Sequence, residues 1–166
     1  MMMKKILLLL VLIVVGVSLF AADVTVVYLD RSETNLEASN FIKKEAASNK
    51  LSYKFIYTSK FTSLKGTEKA VVILNSGKSS GTDPRITSYL STATNKQAVI
   101  VVNLYTVGTT ILVDFITPAQ SALGVDELSA ASQWQDSKGN KPNPVLAMHK
   151  QWTAELFRLI NIKQAL

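Results

Sequence analysis

The sequence predicts an α/β domain with three layers, in which a doubly wound parallel sheet lies between helices. Three short runs are almost wholly apolar and rich in β-branched residues: residues 24–29, 70–74 and 98–104. Such runs are typical of strands in the middle of a parallel sheet, which is covered on both faces. Helical patterns separate them, and right-handed crossovers place those helices on both sides of the sheet.

The first run opens a strand–turn–helix unit. A polar turn follows it, in which Ser32 and Thr34 are natural helix N-caps. Beyond the turn, apolar side chains recur at helical spacing: Ala38, Phe41, Ile42 and Ala46. We therefore expect the turn at the N-terminus of a helix, where backbone N–H groups and the helix dipole attract anions.

The remaining patterns add elements around this unit. Residues 51–57 alternate between large and polar side chains and predict a half-exposed edge strand. Asp83 and Pro84 predict a helix start, and the apolar stripe over residues 145–160 predicts a last helix. Residues 109–116 suit either a strand or a helix. We favour an irregular segment there, a short helix near residues 119–123, and a fifth strand over residues 125–131.

The N-terminus has the pattern of a secretory signal peptide. A short basic start precedes an apolar run over residues 6–20, and small residues follow at 21 and 22. The apolar run is shorter than the ~20 residues of a membrane span, which favours cleavage over an uncleaved anchor. We expect residues 1–22 to be a signal peptide and residues 23–166 one domain, periplasmic or secreted. Contact with a membrane is expected only through an uncleaved signal segment.

Composition excludes several classes of function. The chain has no cysteine, which rules out thiol catalysis, disulfides and thiolate metal sites. His149 is its only histidine, and we expect an ordinary side chain at a helix interface there. The formal net charge is +6, but the basic residues form no dense run interleaved with aromatics, so no nucleic-acid partner is expected. No nucleophile–base pair that would support a hydrolase is visible.

The order of these elements and the first turn resemble the flavodoxin-like fold, whose strand order is 2-1-3-4-5. The resemblance covers most of residues 24–162. Flavodoxins carry a phosphate loop of the kind S-R-S-G-N-T after the first strand, and residues 30–35 read D-R-S-E-T-N. Arg31 and Ser32 match that pattern. Glu33 replaces its glycine, and Asp30 replaces a hydroxyl residue.

The resemblance implies a site for flavin mononucleotide (FMN). Arg31, Ser32, Thr34 and Asn35 would hold the phosphate. Loops 75–78 and 103–108 would flank the ring, with Tyr105 available to stack on it. The complete set implied by the resemblance is Arg31, Ser32, Thr34, Asn35, Asn75, Ser76, Gly77, Asn103, Tyr105 and Gly108. No catalytic residue and no metal ligand is implied, because redox chemistry would belong to the flavin.

The altered turn leaves two hypotheses open. In the first, the chain is an exported electron carrier or small reductase that binds FMN and meets a redox partner protein. In the second, it is a cofactor-free binding or scaffold domain in which the turn only caps the helix. Glu33 lacks the backbone freedom of glycine, and two carboxylates near a phosphate would repel it. Both features favour the second hypothesis.

Overall fold

The computed structural model describes residues 23–58, 61, 64, 66, 68–76, 81–105, 113–131 and 144–165. The six strands are β1 (Val24–Tyr28), β2 (Tyr53–Tyr57), β3 (Ala70–Ser76), β4 (Val99–Tyr105), β5 (Asp114–Ile116) and β6 (Asp126–Ala131). The three α-helices are α1 (Glu33–Ser48), α2 (Pro84–Thr92) and α3 (Pro144–Gln164). The predicted signal segment, residues 1–22, lies outside the described residues.

The strands form one mostly parallel sheet in the order β2-β1-β3-β4-β6-β5. The predicted α/β class is confirmed, but the predicted order 2-1-3-4-5 needs a correction. Its five parallel strands are present, and the predicted fifth strand is β6. The added strand is β5, which pairs antiparallel with β6 at the edge of the sheet.

The segment around β5 is where the sequence-based prediction was wrong. Residues 114–116 form a strand rather than irregular chain, and residues 118–123 form turns rather than a short helix. The strand has three residues, which are too few to show a periodic pattern. It forms by pairing with β6, where Leu128 is the register partner of Phe115. The backbone N–H groups of Gln120 and Ser121 both donate to the carbonyl of Thr117, and that single turn is not continued.

Alternate strand residues point to opposite faces of the sheet and build two cores. On one face, α1 and α3 pack together over a cluster that includes Val26, Ile100 and the fully buried Trp152. On the other face, the cluster that includes Ile73 is completed by Ile86 of α2. Helices therefore cover both faces, as the all-apolar strands require. Among the described residues, no helix has the length and apolar character needed to cross a membrane.

Candidate functional site at the carboxyl edge of the sheet

The centre of the sheet contains the point at which its winding reverses. The connection after β1 leads to β2 on one side, whereas the connection after β3 leads to β4 on the other side. Ligands of open α/β sheets bind at such a point, beyond the carboxyl ends of the strands. A cleft of about 200 Å³ lies there. Its lining residues come from the ends of β1 and β3 and from the start of α2: Leu29, Asp30, Leu74, Asn75, Ser76, Asp83 and Arg85.

Asp30 closes the turn between β1 and α1. Its Oδ1 accepts a hydrogen bond from the backbone N–H of Ser32 at 2.9 Å and another from Nδ2 of Asn35 at 2.8 Å. The same amide nitrogen donates to the Asp30 carbonyl at 3.1 Å. Asn35 is 1% exposed, so the amide that binds the Asp30 carboxylate is not accessible to solvent.

Ser32 is the N-cap of α1, as the sequence predicted. Its backbone is extended, with φ −60° and ψ 154°, and its carbonyl accepts the N–H of Leu36 at 3.0 Å. Its hydroxyl accepts the N–H of Asn35 at 3.4 Å, the usual role of a serine at this position. Thr34 lies in the first turn of the helix and is half-buried.

The electrostatics of this turn favour an ionised Asp30. Burial alone would raise the pKa of Asp30, but hydrogen bonds from Ser32 and Asn35 and the positive charge of Arg85 outweigh it and lower that pKa. Within the described residues, no contact joins the guanidinium of Arg31 to the Asp30 carboxylate. Its guanidinium carbon instead lies 5.1 Å from the ring centroid of Tyr57, at the outer strand β2.

These contacts fit a bound phosphate poorly. A phosphate at this helix end would need the Ser32 N–H, which Asp30 already occupies. It would also lie beside an ionised carboxylate, and two unit charges 4 Å apart repel by about 4 kcal/mol at an effective dielectric of 20, before salt screening. The Asp30 carboxylate is thus an internal anion that binds the N–H of the N-cap residue and the side-chain amide of Asn35 at this helix end.

Asn75 and Asn103 belong to a buried polar ladder across the sheet. They are register partners on β3 and β4, and Nδ2 of Asn75 donates to Oδ1 of Asn103 at 2.6 Å. Asn103 in turn donates to Glu127 Oε2 at 3.1 Å, and Ser121 donates a short hydrogen bond to the other oxygen of that carboxylate. The ladder satisfies polar groups that burial would otherwise penalise.

The same ladder fixes the start of α2. Asn75 Oδ1 accepts the backbone N–H of Asp83 at 3.2 Å, and its Nδ2 also donates to the Gly81 carbonyl at 3.0 Å. Asp83 caps α2 by accepting the N–H of Arg85 at 2.9 Å. The guanidinium of Arg85 binds the two Asp83 oxygens at 2.9 Å each, which raises the pKa of Arg85 despite partial burial.

The structure brings together only part of the predicted site. Of the predicted site residues, Asn75 and Ser76 line the cleft. The other predicted residues that the structure describes lie outside its lining: Arg31, Ser32, Thr34, Asn35, Asn103 and Tyr105. The hydroxyl of Ser76 fits a ligand contact, because that oxygen is buried and has no hydrogen-bond partner among the residues that the structure describes. Tyr105 ends β4 and is half-buried. Gly77 and Gly108 lie outside the described residues.

Three polar residues that line the cleft were not among the predicted site residues: Asp30, Asp83 and Arg85. The Asp83–Pro84 pair predicted a helix start, but the sequence carries no signal that this start faces the end of β1. Arg85 lines the cleft for the same reason, because its guanidinium binds the Asp83 carboxylate at the start of the same helix. Among the described residues, no group of three or more His, Asp or Glu side chains is placed to hold a metal ion.

His149 lies away from this edge, between α1 and α3. It is 2% exposed and stacks on Phe41, with ring centroids 4.3 Å apart. Its Nδ1 accepts a hydrogen bond from Trp152 at 2.9 Å, so the proton of the neutral ring is assigned to Nε2. Burial lowers the pKa of His149, and Glu37, 3.8 Å from Nε2, only partly offsets this. The interfacial role predicted for this histidine is the one observed.

Comparison with protein-family models gave no match, and comparison with curated proteins and with solved structures gave none either. Function therefore has to be inferred from the chain's own residues.

Proposed function

We propose that this chain is an exported, cofactor-free binding domain with a flavodoxin-like arrangement of its parallel strands. One observation carries the proposal. The Asp30 carboxylate accepts the Ser32 N–H at 2.9 Å and the Asn35 amide at 2.8 Å, and so takes the donors that a cofactor phosphate would need. With its own carboxylate bound to these donors, the domain would keep the fold and bind no cofactor.

The order of the parallel strands supports the flavodoxin-like part of this proposal. Without the short antiparallel β5, the order is β2-β1-β3-β4-β6, which has the same winding as 2-1-3-4-5. Export is supported by the basic start of the chain, the apolar run over residues 6–20 and the small residues at 21 and 22.

The cleft is too small to carry the binding role by itself. Its volume of about 200 Å³ lies below the ~300–1,000 Å³ typical of ligand pockets. Asp83 and Arg85, both at the start of α2, neutralise each other through two 2.9 Å hydrogen bonds. We therefore assign binding to the exterior of the domain and treat the cleft as the closed remnant of a ligand site.

The competing hypothesis is the FMN-binding electron carrier, in which Ser32, Thr34 and Asn35 hold the phosphate. A flavin titration separates the two. The protein is expressed with its own N-terminal segment, purified, examined for flavin absorbance and titrated with FMN while flavin fluorescence is followed. We expect a colourless protein and no quenching. A yellow protein, or saturable quenching at micromolar FMN, would reject the cofactor-free proposal.

A further inference from the structure

Strand β2 ends the sheet, and within the part of the chain that the structure describes no hydrogen bond reaches its outer backbone groups. The Ser52 carbonyl accepts the Val24 N–H at 3.1 Å, and the Thr58 N–H donates to the Tyr28 carbonyl at 3.2 Å. Alternate residues of a parallel strand bond to the same neighbour, so the even-numbered residues of β2 face β1. The N–H and C=O groups that point away from the sheet belong to Tyr53, Phe55 and Tyr57.

The side chains of these three residues form an aromatic strip. They share the sheet face of their register partners on β1, which is the face covered by α1. Tyr53 is 40% exposed and Tyr57 49% exposed, while Phe55 is half-buried. The rings of Tyr53 and Phe55 meet edge to face, with centroids 5.4 Å apart. Exposed rings beside unpaired backbone are unusual on an edge strand, because both invite association.

Cations surround the strip. The guanidinium carbon of Arg31 lies 5.1 Å from the Tyr57 ring centroid, and Nζ of Lys43 lies 4.9 Å from that of Phe55. Lys54 is exposed on the other face of the strand. The carboxylate at the start of this edge, Asp23, is already bound by Ser52 at 2.7 Å and paired with Lys69 at 3.6 Å. We call the surface formed by Arg31, Lys43, Tyr53, Lys54, Phe55 and Tyr57 the β2 rim.

The charge of the rim decides which kind of strand can pair with it. A second copy of this chain would bring the same three cations into one narrow interface, in a protein whose net charge is already +6. Like charges across paired strands destabilise the pairing. An extended segment with carboxylates would neutralise these cations, and its apolar side chains would cover the exposed tyrosine rings.

We propose that the β2 rim binds an extended, acidic segment of a partner protein, which adds to the sheet as a further strand. The outward N–H and C=O groups of Tyr53, Phe55 and Tyr57 would supply the main-chain hydrogen bonds. Arg31, Lys43 and Lys54 would select carboxylates, and the rings would select apolar side chains between them. The inference deepens the binding role proposed above, but it does not depend on the state of the α1 turn.

The test uses the full chain and two fluorescein-labelled peptides, followed by fluorescence polarisation. The Glu–Val peptide has Val at every fourth position and Glu elsewhere, so that both faces of the added strand carry carboxylates, and the Lys–Val peptide has Lys in place of each Glu. We expect saturable binding of the Glu–Val peptide and at least about tenfold weaker binding of the Lys–Val peptide. Equal binding of both peptides, or none of either, would overturn the proposal. So would a β2-dependent dimer in sedimentation, or tighter binding of a sulfated polysaccharide than of the acidic peptide.

A matched pair of variants isolates strand addition from ring contact. Tyr53→Ala removes the ring and keeps the outward N–H, whereas Tyr53→Pro removes both at the first position of an edge strand, where proline is tolerated. We expect Tyr53→Pro to bind the acidic peptide about tenfold more weakly than Tyr53→Ala, with equal melting temperatures. Equal affinities would reject strand addition.

A charge reversal covers the case in which proline disturbs the fold. Lys54→Glu combined with Arg31→Glu is expected to shift preference from the Glu–Val to the Lys–Val peptide, and an unchanged preference would contradict the proposal. The result is separate from the flavin titration, since a chain that bound FMN could still pass this test and a cofactor-free chain could fail it.

Discussion

The side-chain amide of Asn75 donates to the side-chain oxygen of Asn103 at 2.6 Å, and both residues are at most 3% exposed. This pair joins two central strands and, through Asp83, holds the start of α2. We expect it to matter for stability rather than for ligand contact. Asn103→Leu would remove one hydrogen bond from the buried Asn75 amide, which keeps the Gly81 carbonyl, and one from the Glu127 carboxylate, which keeps Ser121. The expected loss of unfolding free energy is about 2–3 kcal/mol, measured by urea denaturation.

The control for this prediction is Ser129→Ala. Ser129 accepts from Asn103 only at 3.5 Å, and Asn103 keeps Glu127 when Ser129 is lost. We expect a change of no more than about 0.5 kcal/mol. A similar loss in both variants would mean that the ladder acts through packing rather than through its hydrogen bonds.

Removal of the Asp30 carboxylate should leave the N-terminus of α1 available to an external anion. In Asp30→Ala combined with Glu33→Gly, the Ser32 N–H loses its side-chain acceptor, two negative charges disappear and the turn regains glycine freedom. We expect this double variant to bind inorganic phosphate or FMN where the parent chain does not, as measured by calorimetry. Asp30→Asn with Glu33→Gln is the matched control, because it removes both charges but keeps a side-chain acceptor in the turn. Equal binding by the control would show that charge alone excludes phosphate.

Stability should decline in mild acid because of His149. Its pKa is lowered in the folded protein, so the unfolded chain binds more protons once the pH falls below about 6.5. The free energy of unfolding therefore falls as the pH decreases through that value toward the lower, folded-state pKa. We expect His149→Asn, which can still accept from Trp152, to flatten the pH dependence of the melting temperature between about pH 7 and 5. Phe41→Leu should lower the melting temperature at every pH and leave the slope in place.

We expect the ion pair between Lys163 of α3 and Asp126, the first residue of β6, to contribute to the stability of the fold. Lys163 Nζ lies 2.5 Å from Asp126 Oδ2, and the two side chains are only 7% and 14% exposed. The same ammonium group donates to the Gln97 carbonyl. Lys163→Met would leave a partly buried carboxylate unpaired. We expect a loss of about 2–3 kcal/mol in urea denaturation.

The double variant Lys163→Met with Asp126→Leu tests the cause of that loss. Because it removes both charges, we expect it to recover most of the stability. If the double variant is as unstable as the single one, the lost packing of the lysine stem, and not the unpaired charge, is responsible.

The strong apolar runs predicted the fold well, and the weak patterns did not. Residues such as Val26 and Ile100 are buried because their strands are covered on both faces, and that burial is visible as continuous hydrophobicity. The sequence of residues 109–116 suited a strand as well as a helix, and it could not decide between them because the three-residue strand β5 depends on its partner β6. The candidate site failed in a similar way. Asn35 and Asn103 have the polarity of ligand contacts, and only the folded chain shows that each is already bound to another side chain.

Since α3 completes the core that α1 begins, one face of the sheet is only partly covered until α3 has been synthesised. Val26, Ile100 and their neighbours are not fully buried until Trp152 and the residues after it have left the ribosome. Formation of this core is thereby deferred until the last helix of the sheet's helical layer is available to pack.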